Sequence, residues 1–154
     1  MQQARFVYLT QRAVDASDEV EVAWVLISAN NRPLGRSAIS FSSYAECRTA
    51  VARLRAGYAS LRTTAFPTDT TGEWVWRAML DEVAIARAPR SYLRVRECEY
   101  NLVRFVEAIP QANEMPGALR VGRDARGYRP AAVGREPLGR PAPAAVIPTS
   151  RRPR

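Results

Sequence analysis

The sequence predicts an α+β fold in which a β-β-β-α unit is written twice, and three observations predict it. The stretches "SFSSYAEC" (40–47) and "SYLRVREC" (91–98) place a serine, an aromatic residue and a Glu-Cys pair at the same spacing, 51 residues apart. Trp24 and Trp76 each sit in a segment whose apolar residues alternate with period two, the signature of a half-buried strand. Downstream of each, Cys47, Val51, Leu54 and Tyr58, and then Cys98, Leu102, Phe105 and Ile109, recur at +4, +3 and +4, which stacks each set along one helical face.

The first unit opens with "ARFVYLTQ" (4–11), a strand, followed by the loop "AVDASDE". A second strand puts Val22, Trp24 and Leu26 on one face. "NNRP" then turns the chain, with Asn30-Asn31 as a type I′ pair because asparagine tolerates positive φ, and "LGRSAISF" returns as a third strand. Ser43-Tyr44-Ala45-Glu46 reads as a capping box that starts the helix, and Gly57 suits its end.

The second unit repeats the order: "SLRTTAFPT" (60–68), the loop "DTTGE", a strand with Trp74, Trp76 and Ala78 on one face, the turn "LDEV" and the strand "AIARAPRSY". Its helix keeps the first-turn glutamate, Glu97, has Arg94 at the cap position and meets Pro110 at its end. "ALRV" (118–121) is a short closing strand. About 50 residues bury too little surface to be stable alone, so the two units, 1–59 and 60–122, are expected to share one core.

In order and spacing these features resemble the YegP-like family, small domains of uncharacterised function found singly or in tandem. The first copy carries the resemblance through Trp24, Ala29-Asn30, Leu34, Ser37, Phe41, Ser42-Ser43, Val51 and Leu54, with one residue inserted between Ser37 and Phe41. The second carries it through Trp76, Ile85, Tyr92, Leu102 and Phe105, and departs at Asp81-Glu82, where the family has Asn-Gly, and at the helix cap. The resemblance spans roughly residues 4–121. It implies tandem β-β-β-α-β units forming one antiparallel sheet with two helices packed on it, and "SLRTTAF" and "ALRV" as strands exchanged between units. It implies no activity and no catalytic residues.

Composition narrows the chemistry. All 23 basic residues are arginine, with no lysine and no histidine. That excludes Schiff-base lysines, the P-loop lysine, a histidine general base and histidine metal ligands. Two cysteines are too few for a disulfide scaffold or a four-thiolate zinc site. Each cysteine heads the apolar stripe of its helix, where it serves as a small hydrophobe. The sequence contains no glycine-rich phosphate loop, paired-carboxylate motif or nucleophile elbow, and no catalytic, cofactor-binding or metal-binding residue is expected.

Charge is uneven along the chain. Residues 1–117 carry 14 arginines against 13 acids, whereas residues 118–154 carry nine arginines against two. Those nine, Arg120, Arg123, Arg126, Arg129, Arg135, Arg140, Arg151, Arg152 and Arg154, are the candidate phosphate contacts. Six prolines and four glycines after residue 117 argue against a helix or central strand, so residues 123–154 are expected to be a disordered basic tail. Arg90, Arg94, Arg96 and Arg104 add basic character around the second helix, but Glu97, Glu99 and Glu107 among them mark a solvated face.

No run approaches the ~20 apolar residues of a transmembrane helix, and the N-terminus lacks a signal-peptide stretch. The expected protein is cytoplasmic and non-enzymatic. It is an interaction or scaffold module with a protein partner, a monomer or a homodimer, and the alternative is a nucleic-acid-associated protein that binds through its tail without sequence preference.

Overall fold

The computed structural model describes residues 3–12 and 19–120. Their elements run β1 (Arg5–Arg12), β2 (Val20–Ile27), β3 (Pro33–Ser37), α1 (Tyr44–Gly57), β4 (Arg62–Pro67), β5 (Trp74–Leu80), β6 (Val83–Arg87), α2 (Val95–Ala108) and β7 (Asn113–Arg120). A short 3₁₀ turn follows each helix, at Tyr58–Ser60 and Ile109–Gln111. The seven strands form one sheet in the order β4-β5-β6-β3-β2-β1-β7. The junction β3–β6, with Arg36 opposite Arg87 and Ser37 opposite Ala86, joins the two parts of the chain into that sheet.

Both helices pack on the same face. The residues that the alternation placed together, Val22, Trp24 and Leu26 and then Trp74, Trp76 and Ala78, all face one core with Phe6, Tyr8, Cys47, Val51, Leu54, Cys98, Phe105 and Ile109. At its centre the Phe105 ring stacks 6.3 Å from Trp24 and lies 4.7 Å from Trp76. One ring of α2 thus bridges the tryptophans of β2 and β5. Gly35 makes room for it, because a Cβ there would stand 2.4 Å from Phe105 Cδ1 and 2.9 Å from Trp76 Cη2.

The sheet is mixed, not wholly antiparallel as the family resemblance implied. β7 runs parallel to β1. The reason lies in the chain path: the 3₁₀ turn after α2 delivers Asn113 beside the start of β1, where its N–H donates to Ala4 O at 2.9 Å. A strand entering there has only the direction of β1 available to it. Between Phe6 and Tyr8, Met115, Pro116 and Gly117 of β7 oppose the single Val7 of β1, a bulge where Pro116 and Gly117 (φ 77°) break the ladder. Of the strands expected to be exchanged, "ALRV" is described as far as Arg120 and joins β1 of the first part through β7, while "SLRTTAF" supplies β4, which pairs antiparallel with β5.

Three local expectations change. The type I′ turn belongs to the second hairpin, where Asp81 (φ 51°) and Glu82 (φ 68°) both take left-handed conformations. In the first hairpin only Asn31 (φ 63°) does, closing a longer loop in which Asn31 N–H donates to Ser28 O. Leu102 is only half-buried, because Asn101 turns into the core and accepts a hydrogen bond from Trp76 Nε1 at 2.5 Å. The indole N–H needs an acceptor once buried, and the asparagine provides it. The capping box forms with a shift: Ser43 Oγ accepts from Glu46 N–H as expected, but Glu46 reaches back to Ser42 rather than to Ser43.

Candidate functional site

With both helices on one face, the residues of the opposite face of the sheet follow from the alternation. Gly35 points at Phe105, so Arg36 points away from the helices. Ala86 faces the core, so Arg87 does not; Trp76 and Ala78 face it, so Arg77 between them does not. Strand register then aligns these side chains into a row. Thr64 lies opposite Arg77, Arg77 opposite Arg87, Arg87 opposite Arg36, Arg36 opposite Val25, and Val25 opposite Val7. Three arginines on three adjacent strands thus run into a small apolar cluster of Val7, Leu9, Val25 and Ile27.

The electrostatics of that row are unusual. Like charges directly opposite one another on neighbouring strands are destabilising. Arg77 and Arg87 each have an interaction partner. Arg36 is the most enclosed of the three at 8% exposure, next to a fully buried Val25. Its Nε–H is buried and has no hydrogen-bond partner among the described residues. Arg77 and Arg87 are half-buried, and the Arg77 guanidinium carbon sits 5.2 Å from the centroid of Phe66 on β4.

The residues singled out from the sequence fall elsewhere. Arg120 ends β7, exposed, opposite Thr10 at the sheet edge. Arg123, Arg126, Arg129, Arg135, Arg140, Arg151, Arg152 and Arg154 lie outside the described residues. The arginines around α2 belong to the helix layer: Arg90 covers the Tyr92 ring at 4.8 Å, Arg94 stands 3.9 Å from Glu97, and Arg104 donates to Tyr100 Oη. Cys47 and Cys98 are free and fully buried, and burial pushes both thiols up to about 12, as suits structural residues. The arginine row had a sequence signal in "PLGRS", "WVWRAM" and "AIARA", each with one arginine off the core face, but their alignment depends on strand register.

Among the described residues no group of three or more acids and cysteines is placed to hold a metal ion, and no helix is long and apolar enough to cross a membrane. No protein-family model and no curated protein matches the chain. Two solved structures do. YegP from E. coli, a protein of unknown function, has 13% identity and a TM-score of 0.55 over 79% of this chain and 95% of its own. The UPF0339 protein SO3888 from Shewanella oneidensis has 8% identity and a TM-score of 0.53 over 80% of this chain and 98% of its own. The fold of this protein is therefore the YegP-like fold.

Proposed function

We propose that the protein is a non-enzymatic interaction module, built from two tandem β-β-β-α units within one sheet, and that the sheet face opposite the helices takes an anionic partner. The observation that carries this reading is the cross-strand row Arg77–Arg87–Arg36 running into buried apolar residues. Arginines in such a row offer charge and planar hydrogen-bond donors to an acidic group. The tandem reading is supported by the equivalent places of Trp24 and Trp76, and of Cys47 and Cys98, in one core. Buried thiols with raised pKa support a structural role for the cysteines and suit a reducing compartment such as the cytoplasm.

A second reading assigns binding to the basic segment after residue 117, favoured by its nine arginines against two acids. Fluorescence anisotropy separates the two. The full-length chain is titrated into labelled polyglutamate and labelled single-stranded RNA at ~50 and ~200 mM salt, where phosphate-driven binding weakens steeply. Arg77→Gln with Arg87→Gln weakens binding if the face is the site. Loss confined to a chain whose arginines from Arg120 onward are glutamine selects the second reading. Absence of binding to either probe overturns the proposal.

A further inference from the structure

We propose that the chain beyond Arg120 turns back across the sheet face opposite the helices and covers it with the stretch 121–133, so that a partner reaches that face only by displacing the protein's own segment. The cover stands on its own grounds; its regulatory consequence rests on the reading of that face as the interaction surface.

The first ground is enclosure. Val7, Leu9, Ala23 and Val25 alternate with the core-facing Phe6, Tyr8, Trp24 and Leu26, so they lie on the opposite face. All four are buried, Val25 without any exposed surface. Neighbouring strands cover the flanks of such a side chain and leave its tip to solvent. Both helices stand on the other face, and among the described residues the only further hydrophobic against this cluster is Ile27. Arg36 is long enough to lie over Val25, yet Arg36 is itself buried. Something beyond the described elements covers them all.

The second ground is reach. Arg120 ends β7 opposite Thr10, one residue from Leu9, at the edge of the sheet. Arg36 lies three strands across and about three residues back along β1, roughly 17 Å away, which about six extended residues span. The 34 residues 121–154 therefore cross the cluster with chain to spare. Residues 1–2 span roughly 7 Å, and residues 13–18 must return from Arg12 to β2, so both fall short of Arg36.

The third ground is direction. Enclosure is deepest on β1, β2 and β3, nearest β7, and lessens to the half-buried Arg87 and Arg77 on β6 and β5. A segment entering from β7 covers the strands in that order. Within 121–133, Val121, Tyr128, Ala131, Ala132 and Val133 supply apolar surface for Val7, Leu9 and Val25, and Asp124 supplies a carboxylate within reach of Arg36.

The test attaches a nitroxide to Ala131→Cys in the full-length, isotope-labelled chain; Cys47 and Cys98 are fully buried and stay unmodified. Amide signals of Val7, Ala23, Val25 and Arg36 are expected to fall at least twofold. Those of Tyr44 and Arg48, on the helix side of the same sheet edge, are expected to stay unchanged. Ala125→Cys repeats the measurement from a second position. Tyr128→Ser with Val133→Ser removes apolar surface from the cover and should relieve the broadening.

Because a covered face binds only for the fraction of time it is free, polyglutamate should bind that double variant at least about threefold more tightly than wild type. Broadening of both sides alike, back-face signals left sharp, or a pattern unchanged by the double variant overturns the proposal. So does broadening passed to isotope-labelled chains from spin-labelled ones in a mixed sample, which makes the cover a second copy. One-sided broadening with no polyglutamate binding to either chain removes the interaction reading and leaves the cover standing.

Discussion

Replacing Gly35 with alanine adds one methyl group at the point where the whole core converges. The new Cβ would stand 2.4 Å from Phe105 Cδ1, 2.5 Å from Cε1 and 2.9 Å from Trp76 Cη2. Carbon atoms in contact rest about 3.5–4.0 Å apart, so the ring must retreat by about an ångström. It has little room, because Trp24 stacks on Phe105 and Trp76 leans against it. Overpacking of this kind costs about 1–3 kcal/mol, and the shortfall here favours the upper end. The backbone of Gly35 does not have positive φ, so alanine recovers roughly 0.5 kcal/mol by restricting the unfolded chain. The expected net loss is therefore about 2.5 kcal/mol, which at an m value of ~1.5 kcal/mol/M lowers the urea midpoint by ~1.7 M. Adding Phe105→Leu removes the ring that clashes, so the double variant should be at least ~1 kcal/mol more stable than additivity predicts. A Gly35→Ala protein as stable as wild type, or strictly additive losses, would refute the shared core around Phe105.

Further outcomes follow from individual contacts. Trp76→Phe leaves Asn101 Oδ1 buried without its donor and should cost about 3 kcal/mol by urea denaturation; Asn101→Leu in that background should recover at least ~1 kcal/mol. Asp81→Asn with Glu82→Gly suits the left-handed turn and should stabilise by ~1 kcal/mol, raising Tm by about 4–6 °C. The ion pairs lost, Asp81 with Arg53 and Glu82 with Arg62, are exposed and contribute little. A lowered Tm would contradict the turn assignment.

Burial holds the thiols of Cys47 and Cys98, and the phenol of Tyr92, protonated up to about 12, against 9.0 and 10.0 for the free groups. The native state keeps protons there that the unfolded chain releases. Stability should be undiminished by these groups below pH ~9 and should fall between pH ~9 and ~12, by up to about 1.4 kcal/mol per pH unit for each group. Urea midpoints at pH 8 and pH 10.5 check this; a flat or rising trend would contradict it.

Much of the fold was legible because the signals were local. Alternation around Trp24 and Trp76 fixed the core face, and the Ser43 cap with its downstream apolar stripe located the first helix. The sequence could not show that the chain re-enters beside the start of β1, which makes β7 parallel, because that depends on where α2 ends in space. Asn101 escaped notice for a related reason: periodicity favours the apolar Leu102, and only the Trp76 indole explains a buried amide. The candidate site was legible in parts only. Each arginine of the row sits visibly off its strand's core face, but strand register is a long-range property, and it alone aligns Arg36, Arg77 and Arg87. The conspicuous arginines, those after residue 117, drew the sequence reading away from them.

The most direct measurement is an NMR titration of the full-length protein, with arginine side chains labelled, following the Nε–H resonances as polyglutamate is added. The account predicts that Arg36, Arg77 and Arg87 shift together and saturate at one midpoint, while Arg48 and Arg53 on α1 stay in place. Shifts confined to Arg120 and the arginines beyond it, with Arg36 unmoved, would contradict it.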